Sequence, residues 1–185
     1  RRQRQMCIRD SPKLDIIPTS SNLSVLEQEL VNLKKREYVM KEIIDKIEDL
    51  YDYIIIDCPP SLGLLTVNAL CAVKQLIIPL QTEFYALEGL TQLLKTLNSV
   101  QQNFNKNIHL QGILLTMYDS RNKISEMVSN DVKNHFGDKV FKTIIPRNVR
   151  ISEAPSFGQP VLIYDINCPG SKDYAALAGE IINQE

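Results

Sequence analysis

Residues 51–57, YDYIIID, place three β-branched residues in unbroken succession ahead of a carboxylate. A strand that alternates apolar and polar residues has one dry face. A strand that is apolar throughout must be dry on both, as in a parallel sheet with helices above and below it. Runs of the same kind follow at QLIIPL (75–80), LQGILLTMY (110–118) and KVFKTII (139–145), with shorter ones at LDIIP (14–18) and VLIY (161–164). Helical periods lie between them. Ser24 and Glu27 form a capping box, and Leu26, Leu30, Leu33, Met40, Ile43, Ile44 and Ile47 then fall mainly on one face, with a break near 34–38. Residues 86–104, Asn122 to Phe136 with Gly137 as its cap, and 171–184 also read as helices, and VRISEAPSFGQP as a loop or short helix. This alternation predicts an α/β fold: a mostly parallel twisted sheet with helices on both faces, in one domain over residues 13–185.

Charge and cysteine usage narrow the function classes. The formal net charge of -1 gives no global attraction to nucleic acid or anionic lipid, leaving only a local basic patch for such a role. Cys7, Cys58, Cys71 and Cys168 form no C-x-x-C pair. With only His109 and His135 beside them, they argue against a zinc site and for reduced, mostly buried thiols in a cytosolic protein. No apolar run reaches the ~18 residues of a membrane span. No apolar h-region follows the basic start, so no secretory signal is predicted. That start, RRQRQMCIRDSP, has neither helical nor strand period. Residues 1–12 are expected to be disordered or foreign to the natural gene product, the other reading being a basic arm for nucleic acid.

In sheets of this class ligands sit at the carboxyl ends of the strands. Asp57 is the first polar residue after its apolar run. A carboxylate there can hold Mg²⁺, usually through water, beside the phosphates of a nucleotide. Pro59 and Pro60 keep the following residues extended, and Ser61 and Gly63 allow the turn into a helix. By itself the pattern fits a strand-end turn with a helix-capping acid equally well. The other strand ends, QTEFYALEGL, MYDSR and PRNVRISEAPSFG, mix hydrogen-bonding residues with proline or aromatics and would line one cleft.

Four stretches together, YDYIIIDCPPSLGLLTVNAL, IIPLQTEFYALEGL, GILLTMYDSRNKISEMV and IPRNVRISEAPSFGQPVLIYD, resemble the ParA/Soj family of partitioning ATPases within the MinD-like deviant-Walker P-loop proteins. The similarity runs from about Leu14 to the C-terminus. The resemblance implies an ATP- and Mg²⁺-dependent switch that forms a homodimer around two ATP molecules and binds double-stranded DNA without sequence preference. A ParB/Spo0J-like partner would stimulate hydrolysis, and the protein would be cytoplasmic and nucleoid-associated. Asp57 matches the family's Walker B acid. Gln81 and Glu83 fall in the switch loop near the γ-phosphate. Met117, Pro146, Arg147 and Asn148 fall where the family forms its adenine pocket, although a methionine at 117 packs equally well in a core. Arg121 and Arg150 match positions that contact DNA phosphates, a task suited to the fixed donor fork of arginine. Lys123, Lys133, Lys139 and Lys142 could widen that patch.

The departure from the family pattern is large. None of the seven glycines precedes a lysine, so no G-x-x-x-x-G-K-[ST] phosphate loop occurs in these residues. The expectation is an N-terminally truncated chain, the C-terminal portion of such an ATPase, unable by itself to bind ATP tightly or hydrolyse it. Three other classes compete with this one. A MinD-like membrane-positioning ATPase needs a basic amphipathic C-terminal helix, whereas AALAGEIINQE is acidic and short. An iron–sulfur reductase of the superfamily needs cysteines that Cys58 and Cys71 do not arrange. A non-catalytic binding module remains.

Overall fold

A computed structural model describes residues 8–11, 14–18, 23–58 and 63–184. The chain divides into two compact units, Arg1–Ala72 and Val73–Glu185.

The first unit opens with β1 (Ile8–Ser11) paired antiparallel to β2 (Leu14–Ile16). The unpatterned start therefore contains a strand at 8–11. LDIIP is not the buried strand expected of it, since Leu14 and Ile16 are exposed. Next come α1 (Leu23–Val31), a 3-10 turn at Arg36–Tyr38, α2 (Val39–Ile44), another 3-10 turn at Glu48–Leu50 and α3 (Leu64–Ala72). The break expected near 34–38 is present and turns on Lys35 at φ 58. Glu27 Oε1 accepts the Leu65 N–H at the start of α3, 3.4 Å away, a task the local capping box does not foresee. Asn68, almost fully buried, ties the helices together. Its Oδ1 accepts the Met40 N–H, and its Nδ2 donates to the carbonyls of Arg36 and Leu64.

Residues 51–57 correct the reading that opened the sequence analysis. They are irregular rather than a strand, and Ile55 is 91% exposed. Strand propensity is realised only against a neighbour. Among the described residues no strand pairs with this run. Asp57 accordingly sits on an exposed, non-strand segment. Pro59, Pro60 and Ser61 lie outside the described residues.

The second unit realises the α/β pattern. β3 (Gln75–Gln81) and β4 (His109–Thr116) pair in parallel, from Gln75↔His109 to Gln81↔Thr116, with a slip after Leu76 that leaves Gln111 as the extra residue. Period-two alternation then sorts the side chains. Ile78, Leu80, Ile113 and Leu115 face one way, under α4 (Ala86–Asn103) and α5 (Lys123–Phe136), which bring Leu90, Val128 and Val132. Ile77 and Leu114 face the other way and meet Phe141, Ile145 and, from α8 (Pro169–Ile182), Leu177 and Ile181. Both faces are dry, as the continuous apolar runs require. Each fully buried aliphatic side chain contributes ~1.5–3 kcal/mol by transfer from water. Asn122 caps α5 by accepting the Ile124 N–H, and Gly137 at φ 50 ends it.

Two further strand expectations are corrected. KVFKTII runs beside β4, with Phe141 N donating to Ile113 O (3.0 Å) and Ile145 N to Leu115 O (2.9 Å), but among the described residues it forms only the isolated bridge Ile113↔Val140. Between those bonds the Lys142 and Thr143 N–H groups donate to the Glu180 carboxylate of α8, at 2.7 and 2.9 Å. A side chain thus takes the place of a ladder. Burial works to raise the Glu180 pKa, but these backbone donors outweigh it and hold the group below the ordinary carboxylate value. A lowered folded value stabilises the fold above the unfolded pKa, and that contribution is lost as pH falls through the folded one. Glu180→Gln should therefore flatten the acid side of the stability–pH curve, measured by urea denaturation between neutral pH and mild acid. VLIY, expected as a last strand, is the single helical turn α7 (Val161–Tyr164). It starts after Pro160, whose carbonyl accepts the Ile163 and Tyr164 N–H groups.

Candidate functional site

Three loops follow the carboxyl ends of β3, β4 and the 139–145 segment, and backbone hydrogen bonds stitch them side by side. Thr82 N donates to Thr116 O (3.1 Å), Tyr118 N to Ile145 O (3.2 Å) and Arg147 N to Tyr118 O (2.9 Å). The strand alternation of β3 carries one step into its loop. Gln81 and Glu83 are exposed, while Thr82 between them is 1% exposed. The Thr82 hydroxyl lies 3.2 Å from that of Ser125 in the first turn of α5, and the Ser125 hydroxyl donates back to Thr82 O. The sequence reading passed over this buried pair. The alternation itself could have found it, because a threonine flanked by two outward residues must point in.

Glu83 reaches across to the third loop, where its Oε1 stands 3.9 Å from Arg147 Nη2, both side chains being exposed. Met117 adopts φ 53, a left-handed backbone that non-glycine residues rarely take, at a cost of ~1–3 kcal/mol. It is half-buried at the turn between Thr116 and Tyr118, beside Pro146 through the Tyr118↔Pro146 bridge. Asn148 caps α6 (Val149–Glu153): its Oδ1 accepts the Arg150 N–H at 2.8 Å. Its amide NH₂ is thus the part with hydrogen-bonding capacity left for a base. The structure brings Gln81, Glu83, Met117, Pro146, Arg147 and Asn148 into adjoining loops of one unit.

The two arginines expected at phosphates each hold a carboxylate. Arg121 grips Asp119 in a fork, Nε to Oδ1 at 3.0 Å and Nη2 to Oδ2 at 2.9 Å. Hydrogen bonds from the Arg121 side chain and backbone lower the Asp119 pKa to about 2. Arg150 donates from Nη1 to Glu153 Oε2 at 3.0 Å, and its Nε stands 3.5 Å from Asp165 Oδ2. Lys123, Lys133, Lys139 and Lys142 are exposed.

Asp57 belongs to the first unit. Beside it the exposed Cys58 thiol is pushed up, first by partial desolvation and then by the Asp57 charge. Among the described residues no three of His, Cys, Asp and Glu gather to hold a metal ion. A cation at Asp57 would therefore complete its shell from water and nucleotide phosphates. No described helix is long and apolar enough to cross a membrane.

A family model described as an AAA domain matches residues 2–110. The chain is 52% identical over 176 residues to the chromosome partitioning protein ParA of Caulobacter vibrioides, covering 94% of this chain and 66% of that protein. It is 51% identical to the sporulation initiation inhibitor protein Soj of Bacillus subtilis, covering 91% and 66%. Among solved structures it is similar to a Mycobacterium smegmatis cobyrinic acid a,c-diamide synthase with bound ADP and magnesium, at TM-score 0.72 and 37% identity over 80% of this chain and 60% of that one. The chain spans just under two thirds of the length of these curated relatives.

Proposed function

We propose a function from one premise: the chain belongs to the ParA/Soj family of AAA-domain partitioning ATPases. It is a portion of a DNA-segregation ATPase that binds ATP with Mg²⁺, forms a homodimer and holds double-stranded DNA without sequence preference. A ParB/Spo0J-like partner stimulates hydrolysis and releases the DNA. The observation that carries this reading is the 52% identity to a chromosome partitioning protein across 94% of the chain.

The residues divide the work by chemistry. Asp57 holds Mg²⁺ through water. Gln81, at the end of β3, and Glu83, in the loop after it, face outward and meet the γ-phosphate end. Met117 and Pro146 offer flat apolar contact to adenine, Asn148 donates to its edge, and Arg147 closes the pocket from the same loop. Bound Mg–ATP would supply the phosphoryl group whose loss resets the switch. Arg121 and Arg150 take DNA phosphates, so binding should weaken steeply with salt through counterion release.

The test is a chimera. The residues preceding the matched region of the Caulobacter relative are joined to residues 14–185, and DNA- and partner-stimulated ATP hydrolysis is measured. Stimulated turnover is expected, and Asp57→Ala should lower it roughly ten- to a hundredfold. A folded chimera without turnover, or one indifferent to Asp57→Ala, overturns the assignment.

A further inference from the structure

The second unit contains three arginines, Arg121, Arg147 and Arg150. Each lies within ion-pair distance of a carboxylate: Arg121 of Asp119, Arg147 of Glu83, Arg150 of both Glu153 and Asp165. The lysines of the unit form no ion pair among the described residues. The cations best shaped for a phosphate are thus the ones already neutralised.

We infer that Asp119, with Glu153 and Asp165, acts as a built-in competitor that holds down the affinity of Arg121 and Arg150 for nucleic-acid phosphate. The inference rests on the DNA reading above and assigns the regulation of that same surface. Asp119 occupies the Nε/Nη2 edge of Arg121, one of the two edges by which a guanidinium takes a phosphate bidentately. The Arg121 side chain is otherwise 86% exposed, so a phosphate can approach only its remaining edge, with a carboxylate two atoms away.

The same contact admits the opposite effect, in which Asp119 merely steadies Arg121 for DNA. Magnitude decides between them. Sequence-independent binding rests on net charge: each neutralised phosphate adds about 0.9 to the log–log salt slope. A carboxylate against the arginine cancels most of that share. Steadying one exposed side chain recovers only part of its rotamer entropy. Competition therefore outweighs steadying, and the surface binds DNA loosely enough to be released.

Binding of the chimera described above, loaded with Mg–ATP, to a random-sequence duplex is measured by fluorescence anisotropy across a salt series. Asp119→Asn should tighten binding about three- to tenfold at low salt and steepen the salt slope by up to about one. The gain should vanish in the Arg121→Ala background. Asp131→Asn, which removes an exposed acid of α5 without an arginine partner, should change binding less than twofold. If Arg121→Ala leaves binding unchanged, or the unaltered ATP-loaded chimera binds no duplex at the lowest salt, the DNA reading falls and takes the inference with it. If Arg121→Ala weakens binding but Asp119→Asn does not tighten it, or Asp131→Asn tightens it equally, the DNA reading stands and the competitor role falls.

Discussion

Gly112→Ala should destabilise the second unit by ~1–3 kcal/mol, the usual range for overpacking a filled core. A Cβ built at Gly112 meets the Phe141 ring at 2.5 Å from Cε2 and 2.9 Å from Cδ2 and Cζ. The ring has nowhere to go. It is 2% exposed and packed with Leu114, Ile145 and Leu177 between the sheet and α8. Phe141→Ala should cost more, ~3–5 kcal/mol, because it leaves a cavity rather than a clash. The informative variant is the pair Gly112→Ala with Phe141→Leu. The smaller side chain makes room for the new methyl, so the double variant should be more stable than the two single costs added together. Urea denaturation of the unaltered chain, Gly112→Ala, Phe141→Leu and the pair measures this. Strict additivity would mean that Phe141 does not lie across Gly112, and the placement of 139–145 along β4 would have to be redrawn. That placement matters for the site, since the same segment carries Pro146, Arg147 and Asn148.

What the sequence made legible follows from where each element finds its partners. β3, α4, β4 and α5 form one continuous stretch in which each apolar run meets a neighbour a few tens of residues away, so periodicity and burial agree. Residues 51–57 are rich in strand formers and form no strand, because composition supplies propensity but not a pairing edge. Residues 139–145 depend on Glu180, about forty residues downstream, and no local pattern announces that a carboxylate will take two of their N–H groups. Glu27 likewise serves a helix some forty residues away as well as suiting a local cap. Among the site residues, Gln81, Glu83, Met117, Pro146, Arg147 and Asn148 were legible as strand-end positions and do adjoin. Of the acids that pair with the arginines, Asp119, Glu153 and Asp165 were not singled out. A half-buried Asp or Glu carries no signal in the sequence until geometry sets it against a guanidinium.

Incubated with Mg–ATP, the 185-residue chain alone should show turnover no greater than buffer. Phosphoryl transfer leaves little covalent work to the protein, and its catalysis is positioning and charge stabilisation around the β- and γ-phosphates. That work needs a nest of backbone N–H groups and a lysine, and here no glycine precedes a lysine. The acids Asp57 and Glu83 repel a triphosphate unless Mg²⁺ intervenes, and Arg147 already faces Glu83 at 3.9 Å. What remains is the base. Stacking one base on a protein surface contributes ~1–3 kcal/mol. A Kd of 1 mM requires ~4 kcal/mol, so base contacts alone leave ATP binding weaker than millimolar. Calorimetric titration should accordingly find no saturable site in the micromolar range, while the chimera with the relative's preceding residues binds there and turns over. The two results together would separate the roles: base contact by these residues, and phosphate binding by those the relative supplies. Turnover by the 185 residues themselves, dependent on Mg²⁺ and abolished by Asp57→Ala, would show instead that this chain builds a phosphate site without the glycine–lysine loop. The charge argument made for Asp57 and Glu83 would then be wrong.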